Sequence, residues 1–119
     1  MSPEEFKTRT FDYALRIVRL AQALPKEDAA REIGRQLLRS GMSVGANYRA
    51  AARARSRADF AAKPGIVEEE CDETLYWIEI RVALGFVKQK LVQSLVDEGN
   101  EILSMTIASI QTARLHRKQ

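Results

Sequence analysis

The chain has 119 residues, with nineteen Lys and Arg against sixteen Asp and Glu, a net charge of +3 and a pI near 9.2. That length suits one domain spanning 1-119 and is too short for two ordinary ones. So mild an imbalance implies no partner by itself, and a single cysteine, Cys71, excludes an intrachain disulfide.

The opening run Met1-Ser2-Pro3-Glu4-Glu5-Phe6-Lys7 has acids where a signal peptide carries bases, and no apolar stretch follows it. The longest uncharged run, from Ile102 to Ala113, is too short to span a bilayer. These features point to a soluble, cytoplasmic protein with no membrane partner.

Ser2, Pro3 and Glu5 form a helix-start signal: the serine caps free amides, the proline has no amide to lose, and the glutamate completes a capping box. The first helix is expected to run to about Leu24, with Phe11, Ala14, Leu15, Val18 and Ala21 on its inner side and Arg9, Arg16 and Arg19 on the surface. Pro25 stops it.

A second helix is expected from Asp28 to about Ala54. At 100° per residue it has three faces. Ile33, Leu37, Ser40, Val44, Asn47 and Ala51 form a mostly apolar side, Gly34, Gly41 and Gly45 a second, and Arg31, Arg35, Arg39, Arg49 and Arg53 a third. Each glycine costs about 1 kcal/mol relative to alanine. That expense suggests close backbone packing, against a helix of the same chain or of a neighbouring subunit, the alternative being glycine tolerated in a solvated helix.

Ser56 to Asp59 reads as another capping box, so a third helix is expected near Arg57, with Ile66, Val67, Cys71, Thr74, Leu75, Trp77, Ile78 and Val82 on a broad apolar arc. Pro64 is a misfit that predicts either a kink or a later start. Gly85 closes this helix. A fourth is expected from Lys88 to Leu115, with Leu91, Leu95, Ile102, Leu103, Thr106, Ile110 and Ala113 inward and a basic tail after it. Four helices with short connections define an all-α, antiparallel up-and-down four-helix bundle.

Charge is unevenly distributed. Residues 29–57 hold seven arginines and one acid, a net +6, whereas residues 58–85 hold seven acids and two bases, a net −5. Arginines at helical spacing suit phosphates, so Arg31, Arg35, Arg39, Arg49, Arg53 and Arg57 are the candidate nucleic-acid-binding residues. The same charges could instead join an acidic helix of one subunit to a basic helix of the next, or form an ordinary solvated surface.

The run from Arg39 through Ser43-Val44-Gly45-Ala46-Asn47 to Arg49, then Ala58-Asp59-Phe60, then Glu68-Glu69-Glu70 through Glu73-Thr74-Leu75-Tyr76-Trp77, resembles the small bacterial bundle proteins encoded in intervening sequences of 23S ribosomal RNA genes. The chain departs from that pattern at Ala50, where the family usually has glutamate, and at Pro64. The resemblance implies a homo-oligomeric four-helix bundle, with a pentameric ring as the associated arrangement and no assigned biochemical role. A distant relative, the accessory protein of diversity-generating retroelements, is a basic pentameric bundle that binds nucleic acid and a reverse transcriptase. By analogy this implies RNA or DNA, and another protein, as partners.

Chemistry finds little support. Glu70 and Glu73 are spaced like paired carboxylates of a metal bundle, but no Glu-x-x-His accompanies them and the only histidine, His116, is in the tail. They are expected as structural carboxylates, with Asn47 in a polar core contact to Glu70, Glu73 or Arg81. Cys71 sits among acids, which raise a thiol pKa. Tyr48, Tyr76 and Trp77, with Gly34, Gly41 and Gly45, are the candidate helix-packing or subunit-interface residues. No phosphate loop, nucleophile with a base, or metal set can be assembled, so no enzyme, cofactor or small-molecule substrate is expected.

Overall fold

The computed structural model describes residues 2–23, 25, 27–53 and 57–117, with side chains for all of these except 3, 57–62 and 113–117. Four helices follow one another: α1 (Pro3–Gln22), α2 (Asp28–Ala52), α3 (Arg57–Ala83) and α4 (Gln89–Arg117). No strand occurs among the described residues.

Local chemistry accounts for the ends. The Glu5 amide donates to Ser2 Oγ at 3.1 Å and the Ser2 amide to Glu5 Oε2 at 3.4 Å, closing the capping box of α1. The capping box expected at Ser56 lies outside the described residues. At the far end of α3, Gly85 takes φ +77°. Its amide donates to Val82 O and the Phe86 amide to Arg81 O, both at 3.0 Å, which satisfies the last carbonyls in the pattern that needs a left-handed residue. Pro64 neither delays nor ends α3, which starts at Arg57 and continues through a buried Pro64.

The helices pack as an antiparallel up-and-down bundle of 52 × 23 × 22 Å. The α2–α3 seam is the most extensive, followed by α1–α2 and α3–α4, and α1–α4 is the thinnest. One core cluster draws on all four: Tyr13 and Ile17, Leu37 and Val44, Cys71 and Ile78, Leu95 and Ile102.

Two inner faces differ from expectation. On α1 the buried stripe is Phe6, Thr10, Tyr13 and Ile17, whereas Phe11 and Leu15 are 61% and 38% exposed. The helix carries two stripes at helical spacing, and the one with more polar atoms turns inward because α2 closes on its backbone at Thr10. On α4, Val92 and Leu95 face in and Leu91 is 70% exposed. On α2 the apolar face is buried as expected at Ile33, Leu37, Ser40, Val44 and Ala51.

Candidate nucleic-acid interface

α2 is continuous through all three glycines. A Cβ on Gly41 would fall 2.9 Å from Ile17 Cβ, and one on Gly45 would fall 3.2 Å from Thr10 O. These two glycines therefore seat α2 on α1 of the same chain. Gly34 is also buried. With that side and the apolar side covered, the remaining side of α2 must face outward, and it is the one that carries the arginines.

The stripe is not uniform. Arg39 donates from Nη1 to both Glu70 oxygens, at 3.2 and 3.1 Å, and from Nη2 to Glu73 on α3. This hydrogen bond to Arg39 is the main cause that holds the Glu73 carboxyl below its ordinary 4.5, and Glu73 in turn raises the Arg39 guanidinium. Arg35 donates to Glu32 one turn back, at 2.6 Å. Arg31, Arg49 and Arg53 are exposed and make no side-chain hydrogen bond or ion pair among the described residues. The Arg57 side chain lies outside the described set.

The polar contact expected around Asn47 is distributed differently. The Asn47 amide donates to Ser43 O, 2.8 Å away along its own helix, while Glu70 and Glu73 are taken by Arg39. The reason is reach: at helical spacing the Ser43 carbonyl is a local acceptor already in place. The buried polar link between α2 and α3 is made instead by Thr74 Oγ1, which donates to Ser40 Oγ at 2.9 Å.

Among the aromatic candidates, Tyr48 meets Phe6 edge-on at 4.5 Å and packs with Trp77 against this chain's own core. Trp77 Nε1 donates to Glu73 Oε1 at 3.4 Å. Tyr76, 53% exposed, faces outward.

Sequence reasoning missed two arrangements. Arg81, inside the apolar arc of α3, is 1% exposed. It donates from Nη1 to Leu20 O at 3.1 Å, holding the last turn of α1, while its Nε has no partner and burial lowers its pKa to about 10. An arginine at an inward position was the available signal. Arg9 and Arg16, expected on the open surface, instead cross to α4: Arg9 binds Glu98 and Glu101, and Arg16 Nη2 donates to Ser94 Oγ at 2.8 Å.

Cys71 is fully buried and donates to Gly99 O at 3.3 Å, and burial pushes its thiol up to about 12. No group of three His, Cys, Asp or Glu converges as a metal site among the described residues. No described helix is long and apolar enough to cross a membrane.

Fold and face together define a small all-α bundle whose second helix presents unpaired guanidinium groups. The model of the 23S rRNA-intervening sequence protein family matches residues 5–108. A solved structure, titled as a protein of unknown function from the S23 ribosomal protein family of Bacteroides thetaiotaomicron VPI-5482, is 35% identical with a TM-score of 0.86, covering 93% of this chain and 99% of that one. No curated protein matches. The chain belongs to the 23S rRNA-intervening sequence protein family.

Proposed function

We propose that this protein is a homo-oligomeric, non-enzymatic scaffold of the cytoplasm that holds RNA or DNA by its phosphate backbone through α2. The observation that supports this reading is the set Arg31, Arg49 and Arg53, exposed on one side of α2 and its C-cap with no carboxylate among the described residues to neutralise them. Guanidinium groups in that state are free to make charge-assisted bonds to phosphate. In a pentameric ring, as the family resemblance implies, the face is repeated into a basic belt. Binding of a labelled single-stranded RNA or a short DNA duplex should be tight at low salt and fall steeply as salt rises. Absent binding at low ionic strength, or binding indifferent to salt, would overturn it.

A second reading has its own support. The outward side of α3 carries exposed Glu69, Asp72 and Glu79 beside Tyr76, and the outward side of α1–α2 carries exposed Phe11, Leu15 and Met42 beside the free arginines. Each offers the other an apolar patch and the opposite charge, as a subunit contact between copies needs. Arg49→Glu with Arg53→Glu distinguishes the two by light scattering. Dissociation of the assembly favours subunit contacts, and an intact assembly that no longer binds nucleic acid favours the scaffold.

A further inference from the structure

The exposed apolar side chains of α1 stand in register with the arginine side of α2. Gly41 meets Ile17 and Gly45 meets the Thr10 carbonyl, so the two helices run antiparallel, and a Cβ on Gly45 would lie 3.7 Å from the Phe11 amide nitrogen. Lys7, Phe11 and Leu15 follow one another at four-residue intervals, which puts them on one line of α1. Met42, Gly45 and Arg49, spaced three and four apart, make the facing line of α2. Side by side, these lines place Leu15 near the level of Met42, Phe11 at the level of Gly45, and Lys7 at the level of Arg49.

The groove between the two lines is open. Phe11 is 61% exposed, Met42 48% and Leu15 38%, and Gly45 brings no side chain that could cover the Phe11 ring. Large apolar groups left together in water mark contact surfaces. One end of the groove is cationic: Arg49 stands about 6 Å along the helix from Gly45, and Arg53 about 6 Å further. Neither these arginines nor the half-buried Lys7 makes a side-chain hydrogen bond or ion pair among the described residues, and Glu4, a turn before Lys7, pairs with none of them there. Elsewhere on the stripe the guanidinium groups are already taken, Arg35 by Glu32 and Arg39 by Glu70 and Glu73.

We infer that the groove between α1 and α2 binds single-stranded nucleic acid, with a base stacked on Phe11 and the neighbouring phosphates held by Arg49 and Lys7. The inference rests on the scaffold reading and narrows it. A duplex keeps its bases stacked on one another and offers this groove only phosphates. A single strand also offers the faces of its bases, and stacking on an aromatic ring accepts any base because each has a π-face. The ring and the cations lie about one helical turn apart, a spacing that the base and phosphate of one nucleotide can bridge. Leu15 and Met42 extend the apolar floor away from the charged end, beneath the next base.

The full chain is titrated by fluorescence anisotropy with three labelled probes, an oligouridine and an oligothymidine of about 20 nucleotides and a DNA duplex of the same length, longer than an ordinary single-strand site. Phe11→Ala should weaken binding of both single strands by about 5- to 100-fold and leave duplex binding unchanged. Phe11→Leu, which keeps the apolar surface and removes the π-face, should lose most of the same affinity, and Phe11→Tyr should keep it. Neither loss should alter the slope of log K against log salt, whereas Lys7→Gln with Arg49→Gln should lower that slope on single strands by about 1 to 1.5, close to 0.7 per lost phosphate contact. Far-ultraviolet circular dichroism should show unchanged helix content throughout.

Phe11→Leu binding single strands like the parent, or Phe11→Ala losing as much on duplex as on single strands, would overturn the stacking groove while leaving the scaffold reading in place. Light scattering that shows the Phe11→Ala assembly dissociated would give the patch to a second copy of the chain and overturn it as well. A parent chain that binds no probe at about 50 mM salt, where phosphate binders hold tightly, would overturn both readings.

Discussion

α1 is held on its two flanks by different physics. Against α2 it meets bare backbone: Gly41 makes room for the Ile17 side chain and Gly45 lies against the Thr10 carbonyl, so α2 brings no side chain of its own to either contact. Against α4 it meets the ends of long side chains, with Arg9 on Glu98 and Glu101, Arg16 on Ser94, and the Tyr13 hydroxyl over Gly99. The first seam is a requirement of shape and admits little change. The second, the thinnest in the bundle, rests on polar groups that water and salt can replace. A helix with one strict and one lenient flank should open, when it opens, on the α4 side.

The largest expected effect is on the strict flank. Gly41→Leu places a side chain where Ile17 already stands, and overpacking of this kind should cost about 3 kcal/mol in urea unfolding. A loss under about 1 kcal/mol would mean that the seam yields, and the contrast between the flanks would disappear.

Arg9→Leu should cost roughly 1 kcal/mol at low salt, because its partner Glu98 is mostly shielded and Glu101 is not. The deficit should shrink in 1 M salt, where the Debye length is about 3 Å. An Arg9→Leu deficit that ignores salt would make the α4 flank as steric as the other.

Arg39→Gln sharpens the comparison at the third seam, α2–α3, by about 0.5 to 1 kcal/mol near neutral pH, since Arg39 is half exposed. The Glu73 carboxyl has its pKa lowered in the fold, mainly by Arg39. A group with a lowered folded value contributes fully above its unfolded pKa, ordinarily 4.5, and loses that contribution as pH falls through the folded value. The difference in stability between parent and variant should therefore be constant above about pH 5.5 and vanish on acidification below the lowered folded pKa. A difference that grows on acidification would reverse the sign.

Gly45→Ala should be the smallest. Its Cβ asks Thr10 O for a few tenths of an ångström, and alanine returns about 1 kcal/mol of helix propensity, so the net change should be under about 1 kcal/mol of either sign. If it matched Gly41→Leu, the tight contact would extend along the whole seam.

How legible this was varied by helix. α2 could be read almost completely, because its apolar, small and charged residues fall on three separate arcs and each arc has one physical use. α1 was misread at Phe11 and Leu15, since two arcs satisfied the same period and only the approach of α2 chooses between them. The glycines announced a close contact without naming the partner. The candidate site was visible as a row of arginines, yet a row does not show which members are already spoken for: Glu70 and Glu73 lie more than thirty residues from Arg39 and became its partners through packing. Arg81 gave no warning beyond standing inside an apolar arc.

By itself the sequence determined the number of helices, their limits at Ser2, Pro25 and Gly85, and the sides of α2, because caps, breakers and periodicity act within a few residues. Only the tertiary structure decided which stripe of α1 turned inward and which of the described arginines remained free. Those outcomes depend on neighbours dozens of residues away, and local propensity carries no information about what another helix brings alongside.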